Sequence, residues 1–272
     1  MSRKLFGAAA VSSLLIAATL TAARAADMGM PLKAPPPPPP PPTYSWTGCY
    51  LDAGAGYGLW NQDHYVSFGP LEGGGTTVST RDGGRGWLGR FGGGCDYQFG
   101  GGWSSWVIGA FADYDVMDLK GTISLNEVTP VTGIPLVADE KETGAWYAGA
   151  RLGYLITPSV LGFVSGGWTE TRFGPLNEFQ TFGGAPFGFG YAANTYHGWF
   201  VGGGYEYALN FAWLPIRGLF WKTEYRFSSY ESTNLSEVTQ ATGLPDGNIL
   251  HSEKDVQTIT SSLVWRFNWY GR

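Results

Sequence analysis

The seven residues Trp221-Lys222-Thr223-Glu224-Tyr225-Arg226-Phe227 constrain the fold more than any other stretch. Lys222, Glu224 and Arg226 alternate there with Trp221, Thr223, Tyr225 and Phe227. Period-two alternation specifies a β-strand, because successive side chains leave a strand on opposite faces. A soluble sandwich strand would turn its aromatic face to a core free of charge. Here three full charges sit in register on the other face and must lie close together. Inside a closed barrel they can pair with charges from neighbouring strands, while the aromatic face meets lipid. Apolar outside and polar inside is the arrangement of a transmembrane β-barrel.

The start of the chain agrees with export. Arg3 and Lys4 precede an uncharged run from Leu5 to Ala23, and Ala23 and Ala25 flank Arg24. This pattern predicts a secretory signal over residues 1–25. The competing reading is an N-terminal anchor, since the run is almost long enough to span a bilayer. The Ala-x-Ala ending and the lack of a second long apolar run favour cleavage after Ala25. Removing Arg3, Lys4 and Arg24 leaves 17 − 3 = 14 basic against 22 acidic residues, a net charge of 14 − 22 = −8. An acidic chain without a basic face is not expected to bind nucleic acid. Residues 26–43 follow, with consecutive prolines from Pro35 to Pro42. Such a run is stiff polyproline II without donors for a sheet. It reads as a periplasmic spacer or, more sharply, as a tether that contacts peptidoglycan.

Residues 44–268 read as one barrel, with 269–272 as a C-terminal extension. The alternation predicts eight strands at 48–60, 84–99, 104–119, 143–157, 160–173, 197–209, 218–230 and 255–268. Most exceed the roughly 9–11 residues of a tilted spanning strand. The fold class is therefore all-β, an eight-stranded antiparallel up-and-down transmembrane barrel. Gaps alternate short and long, the long ones being 61–83, 120–142, 174–196 and 231–254. Short periplasmic turns and long outer loops are the outer-membrane rule. An even strand number then puts both termini on the periplasmic side.

Strand parity assigns Asp52, Arg90, Asp96, Gln98, Asp113, Asp115, Arg151, Glu206, Lys222, Glu224, Arg226 and Arg266 to the lumen. An eight-stranded barrel has an interior just wide enough for side chains to fill it. Buried ions must be paired, so the near balance of signs reads as a salt-bridge plug. The expected lipid face holds Leu51, Ala53, Ala55 and Tyr57, then Ala148, Ala150, Leu152, Tyr154 and Ile156, then Leu263, Trp265 and Phe267. Two aromatic girdles are expected, with Trp46, Tyr97, Trp103 and Tyr207 below and Trp60, Trp87 and Trp199 above. A soluble lipocalin-like barrel is the alternative, but it would bury the aromatics and leave Arg90 and Arg151 unexplained.

Several stretches carry a family resemblance. They are Trp46-Thr47-Gly48-Cys49-Tyr50-Leu51, the run from Trp106 to Asp115, Ala150-Arg151-Leu152-Gly153-Tyr154, the run from Gly198 to Leu209, and Lys222-Thr223-Glu224-Tyr225. Together they resemble the outer-membrane β-barrel family of alphaproteobacteria, the 25- and 31-kDa surface proteins also called porin-family or opacity-like. The resemblance covers about residues 44–268. It implies an eight-stranded barrel abundant in the outer membrane, with roles in envelope integrity and external contact. The implied partners are outer-membrane lipid and lipopolysaccharide, periplasmic chaperones and the barrel-assembly machinery. Some relatives bind haemin, and the family fixes no catalytic residues. Two features depart from it: Asn268 to Arg272 follow the terminal aromatic Phe267, and cysteines stand at 49 and 95.

Candidate chemistry is sparse. His64, His197 and His251 fall in or beside the expected outer loops, two of them next to Tyr65 and Tyr196. Imidazole and phenolate are haem-iron ligands, so these three are the candidate haemin residues, although solvated loop histidines are the simpler explanation, since no spacing fixes a site. No cofactor or metal is otherwise expected. His251-Ser252 is the sole adjacent Ser/His pair, and strand neighbours point to opposite faces, so no catalytic residues are assigned. Gly92–Gly94 and Gly202–Gly204 precede no helical pattern and read as relief of crowding in a tight barrel. Cys49 and Cys95 lie on adjacent strands, on one face, in an oxidising compartment, which favours a disulfide. Two free thiols facing lipid are the alternative. The leading functional reading is a structural surface barrel. A haemin receptor, a narrow channel and a lipid-modifying enzyme are the competitors.

Overall fold

The structure, a computed structural model, describes residues 45–70, 73–101, 104–128, 133–209 and 218–267. The expected signal, the proline-rich segment, the expected extension 269–272 and Trp103 lie outside the described residues. Eleven strands follow in order: β1 (Gly48–Ser67), β2 (Thr80–Gly101), β3 (Ser104–Val128), β4 (Pro135–Thr157), β5 (Val160–Phe173), β6 (Leu176–Gln180), β7 (Pro186–Tyr191), β8 (Asn194–Ala208), β9 (Leu219–Tyr230), β10 (Thr233–Thr239) and β11 (Pro245–Phe267). Every pairing is antiparallel, and β1 bonds to both β2 and β11, which closes the sheet on itself.

Eight staves make this barrel, not eleven. β6 continues β5 past Gly174-Pro175, β8 continues β7 past Ala192-Ala193, and β10 continues β9 past Glu231-Ser232. The pairings Phe173 with Asn194 and Leu176 with Tyr191 lie on one unbroken register. So do Gly198 with Tyr230 and Tyr191 with Glu237. Pro175 has no N–H to donate and marks one break, while Gly174 N still donates to Lys141 O at 2.8 Å.

The staves are far longer than the alternation predicted. Residues 61–67, 80–83, 120–128 and 135–142 were expected in loops and are strand, as are most of 174–196 and 231–254. β2 has 22 residues. At roughly 3.3 Å per residue and a tilt of about 40° it rises roughly 55 Å, about twice the ~25 Å apolar band of such barrels. The outward side chains explain why the extra length was hidden. On β3 they run apolar from Trp106 to Val116, then change to Asp118, Lys120 and Thr122. On β4 they run from Ile156 up to Trp146, then to Lys141 and Asp139. Beyond the belt both faces carry polar residues, so hydrophobic alternation fades while the strand continues. The belt is 11 residues tall on β3 and on β4 and thus matches one bilayer crossing.

Leu51, Ala53, Ala55, Tyr57, Ala148, Ala150, Leu152, Tyr154, Ile156, Leu263 and Trp265 are exposed on the outer face, and Phe267 is half-buried. Trp87, Trp199, Tyr97 and Tyr207 also face outward. Trp46 and Trp60 do not. Both are fully buried in the lumen, Trp46 against Phe220 and Trp60 against Phe173. Trp46 precedes β1, where no alternation fixed its phase. Trp60 shares the inward parity of Asp52.

Glycine makes room for the interior charges. Gly92 stands opposite Asp113, and Gly109 opposite Asp96. A Cβ at either position would collide with that carboxylate and press on a wall carbonyl, Ala112 O at 2.6 Å or Cys95 O at 2.8 Å. Gly92→Ala is therefore expected to destabilise the refolded barrel by about 1–3 kcal/mol in urea titration. Unchanged unfolding would mean that Asp113 moves freely.

Cys49 and Cys95 are register partners on β1 and β2 and form a disulfide on the outer face. The bond closes a loop of sequence separation 46. Chain entropy alone would make it worth about 4 kcal/mol. Unreduced protein should take up no alkylating label, and the double Cys→Ser variant should unfold about 2–4 kcal/mol earlier. Two labelled thiols in fresh protein would contradict the pairing.

Candidate functional site

The lumen is the part of the molecule in which charged side chains converge. Inward positions of eight twisted staves meet there, and several of the acids and bases are paired across strands far apart in sequence. Nearest the short turn Thr157–Ser159, Asp96 and Glu206 form a ring with Arg151 and Arg266. Arg151 Nε donates to Asp96 Oδ1 at 2.9 Å, and its Nη1 to Glu206 Oε2 at 3.3 Å. Arg266 Nε donates to Glu206 Oε1 at 2.8 Å and its Nη1 to Asp96 Oδ2 at 2.7 Å. Both guanidinium groups also cover the Tyr50 ring, at 4.5 Å and 4.9 Å. Two acids and two bases thus cancel within one closed cycle. Gln98 sits at the rim and accepts from Trp46 N at 3.0 Å.

A second group fills the middle of the belt. Arg90 forks onto Asp115 with bonds of 2.7 and 2.6 Å. Arg226 Nη2 reaches Asp113 and also Glu224 Oε2, the latter at 2.7 Å. Ser165 donates to the other oxygen of Glu224 at 2.7 Å. Lys222 Nζ lies 2.7 Å from Asp52 Oδ2. Rings close the remaining space: Arg226 lies 5.0 Å from Phe111, 4.9 Å from Tyr147 and 5.2 Å from Phe200. Bidentate pairing and aromatic stacking both suit arginine, which fills four of these five basic positions. None of the eleven charged side chains is more than 6% exposed.

Above the belt is a third group that sequence parity missed. Lys254 Nζ donates to Glu140 Oε1 at 2.7 Å and to Gln62, and lies 4.2 Å from the Phe173 ring. Burial among these rings lowers the Lys254 pKa from its ordinary value, against the pull of Glu140. Glu142 accepts from Thr171 at 2.6 Å, and burial pushes its carboxyl up to about 8. Lys254 shares the parity of Arg266 and lay one residue before the predicted start of the last strand. Glu140 and Glu142 were unreadable for a different reason. The β4 register shifts near Gly144 against both neighbours, which reverses the faces of everything earlier on the strand.

The three histidines are not brought together. His64 lies on β1, not in a loop, and is buried with Nε2 2.7 Å from Ser124 O. His251 is on β11, where its ring stacks on Tyr65 and its Nε2 is 2.9 Å from Ser67 Oγ. His197 is exposed on β8, with Nδ1 3.4 Å from Glu170. Tyr196 is buried beside Lys254. No two imidazoles face a common space in which a porphyrin would sit. Ser252 is buried and pairs with the Tyr196 hydroxyl at 3.4 Å, on the face opposite His251. Among the described residues no group of three His, Cys, Asp or Glu side chains could hold a metal ion.

No protein-family model matches the chain. The chain is 26% identical over 248 residues to the 31 kDa outer-membrane immunogenic protein of Brucella melitensis, covering 91% of this chain and 94% of that protein. The protein of the same name from Brucella suis matches equally. Solved structures with a similar course include the outer membrane protein OprG of Pseudomonas aeruginosa, with TM-score 0.43, 14% identity and coverage of 82% of this chain and 97% of that one. Neisserial surface protein A has TM-score 0.32, 13% identity and coverage of 79% and 99%. The outer membrane protease OmpT of Escherichia coli has TM-score 0.35, 13% identity and coverage of 80% and 97%. The barrel closed by β1 and β11, its apolar belt and the end-to-end likeness to the Brucella proteins describe an outer-membrane β-barrel similar to those 31 kDa relatives.

Proposed function

We propose that the protein is a non-conducting structural barrel that supports the envelope and carries a rigid extension outside it. The observation behind this reading is an interior filled by buried side chains. A water-filled channel leaves its lining accessible, whereas Arg90 and Arg226 are each 1% exposed and Lys222 is 3% exposed. Their charges are matched by acids at bonding distance, so passage of an ion would require breaking several charge-assisted bonds at once.

In this reading both ends of the barrel, β1 and β11, start and finish in the periplasm. The support is the even number of staves and the short turn Thr157–Ser159 at the same end, since short turns are periplasmic in such barrels. The opposite end stands clear of the bilayer as a strand-built wall whose outer surface carries Asp63, Arg81, Asp118, Lys141 and Glu170. Such a surface suits contact with lipopolysaccharide and with external partners. It would also be the face that a host immune system meets, in keeping with the word "immunogenic" in the Brucella relatives' name. The proline-rich segment would run from the periplasmic end and space the barrel from peptidoglycan. The haemin reading has less support, because His64, His197 and His251 face different surroundings.

Planar-bilayer recording tests the reading. Pure protein should give no steady conductance. The double substitution Arg151→Ala with Arg266→Ala, which empties the ring at the periplasmic end, should by itself leave the central group closed and still give none. A stable single-channel current from the wild-type protein would contradict the plug.

A further inference from the structure

The outward basic residues of the wall lie on one side of the barrel. Among the described residues they are Arg81 and Arg85 on β2, Lys120 on β3, Lys141 on β4 and Arg172 on β5. Staves β1 and β11 carry outward acids above the belt instead, Asp63 on β1 and Glu253 and Asp255 on β11. Four of the five basic residues form a row across four adjacent staves. Arg85 stands opposite Lys120, and Lys120 opposite Lys141. Gly174 N bonds to Lys141 O, so Arg172, two residues lower on β5, comes next in the row. Trp87, Trp146 and Trp168 are exposed on the same face below it. The row therefore crowns the upper edge of the apolar belt.

Like charges directly opposite one another on a sheet are destabilising, so the row calls for anions. Asp118 supplies one, 3.2 Å from Lys120 Nζ and 2.7 Å from Lys141 Nζ. Asp139 accepts from Thr122 Oγ1 at 2.7 Å, and Glu170 faces His197. Arg85 and Arg172, at the two ends, pair with no carboxylate among the described residues. Between them the wall is dented. The β4 register shift near Gly144 and the break at Gly174-Pro175 adjoin a hollow of about 630 Å³, lined by Lys120, Thr122, Asp139, Lys141, Thr143 and Pro175 among others. Neighbouring strands are about 4.8 Å apart, so the four cations spread over roughly 14 Å. One phosphate cannot touch both ends of such a row, whereas a headgroup with two or more phosphates can. The guanidinium forks at the ends suit phosphate oxygens.

We propose that this row and its hollow hold the headgroup of a multiply phosphorylated glycolipid of the outer leaflet, with phosphates on Arg85, Arg172 and the Lys120–Lys141 pair and acyl chains against the wall below Trp87 and Trp146. The proposal rests on the barrel orientation given above, which turns this edge to the outer leaflet, and deepens it by naming one patch and one class of lipid.

Native mass spectrometry of the refolded mature protein in detergent, titrated with bisphosphorylated lipid A, tests the site. One lipid A should be retained per chain, at least about tenfold more tightly than its dephosphorylated form or phosphatidylglycerol. Arg85→Gln combined with Arg172→Gln should weaken retention at least about tenfold, the loss of two basic residues at an anionic lipid surface. Arg81→Gln, whose arginine is already bound to Asp63, should leave it unchanged. The double variant breaks no ion pair and should unfold in urea as the wild type does, which separates loss of the site from loss of the fold. Absence of lipid A retention would overturn the proposal. So would equal retention of dephosphorylated lipid A or of phosphatidylglycerol, or retention indifferent to the double substitution. Binding in detergent does not depend on orientation in the cell, which is read separately from an epitope inserted between Gly183 and Gly184, in the turn from β6 to β7. Antibody binding on intact cells supports the outer leaflet as the source of the lipid, and binding only after lysis overturns that assignment.

Discussion

Mutual neutralisation of charge in a space of fixed size governs this molecule. Eight staves leave an interior that side chains alone can fill. Once Arg90, Arg151, Lys222, Arg226 and Arg266 point into it, acids must reach them from other strands. Asp115 reaches Arg90 from β3, Glu206 reaches Arg151 and Arg266 from β8, and Asp52 reaches Lys222 from β1. Each pair therefore fastens strands that the hydrogen-bond ladder alone would only align. Isolated buried ions cost several kcal/mol each, so a slipped register is penalised at many points at once.

The same demand shapes the wall. Gly92 and Gly109 stand where a side chain would displace Asp113 or Asp96. Rings of Tyr50, Phe111, Tyr147 and Phe200 fill the gaps between guanidinium groups, so arginine's aliphatic and planar surfaces are covered while its edges bond to acids. Outside, the apolar belt ends within one or two residues on neighbouring staves, and the polar wall above it continues the same ladder. The membrane anchor and the outer extension are thus one sheet, which makes the extension rigid without a core of its own.

Much of this was readable in the sequence, and for a physical reason. In the belt one face must be apolar and the other charged, so alternation is strong and all twelve residues assigned to the lumen point inward. Above the belt water bathes the outer face, both faces tolerate polar residues, and the signal disappears although the strand does not. Lys254 and Gln62 were lost in that way. Glu140 and Glu142 fall in the stretch 120–142 expected as a loop, and the β4 bulge reverses parity there, which no local pattern announces. Trp46 and Trp60 were misplaced because tryptophan suits a lipid girdle and a barrel interior equally. His64 was read as a loop residue for the same reason that β1 was read as too short.

The most direct test of a charge-paired interior is a double-mutant cycle on Arg90 and Asp115, both fully buried and joined by two bonds. Unfolding free energies of the wild type, Arg90→Met, Asp115→Leu and the double variant would be measured in urea in the same lipid or detergent. Each single change should cost about 3–5 kcal/mol by stranding its partner. The double change should cost at least about 2 kcal/mol less than the sum of the two, since neither ion of the pair is left facing its missing partner, and Glu224 keeps Arg226 and Ser165. Strictly additive losses, or single variants as stable as the wild type, would contradict the account.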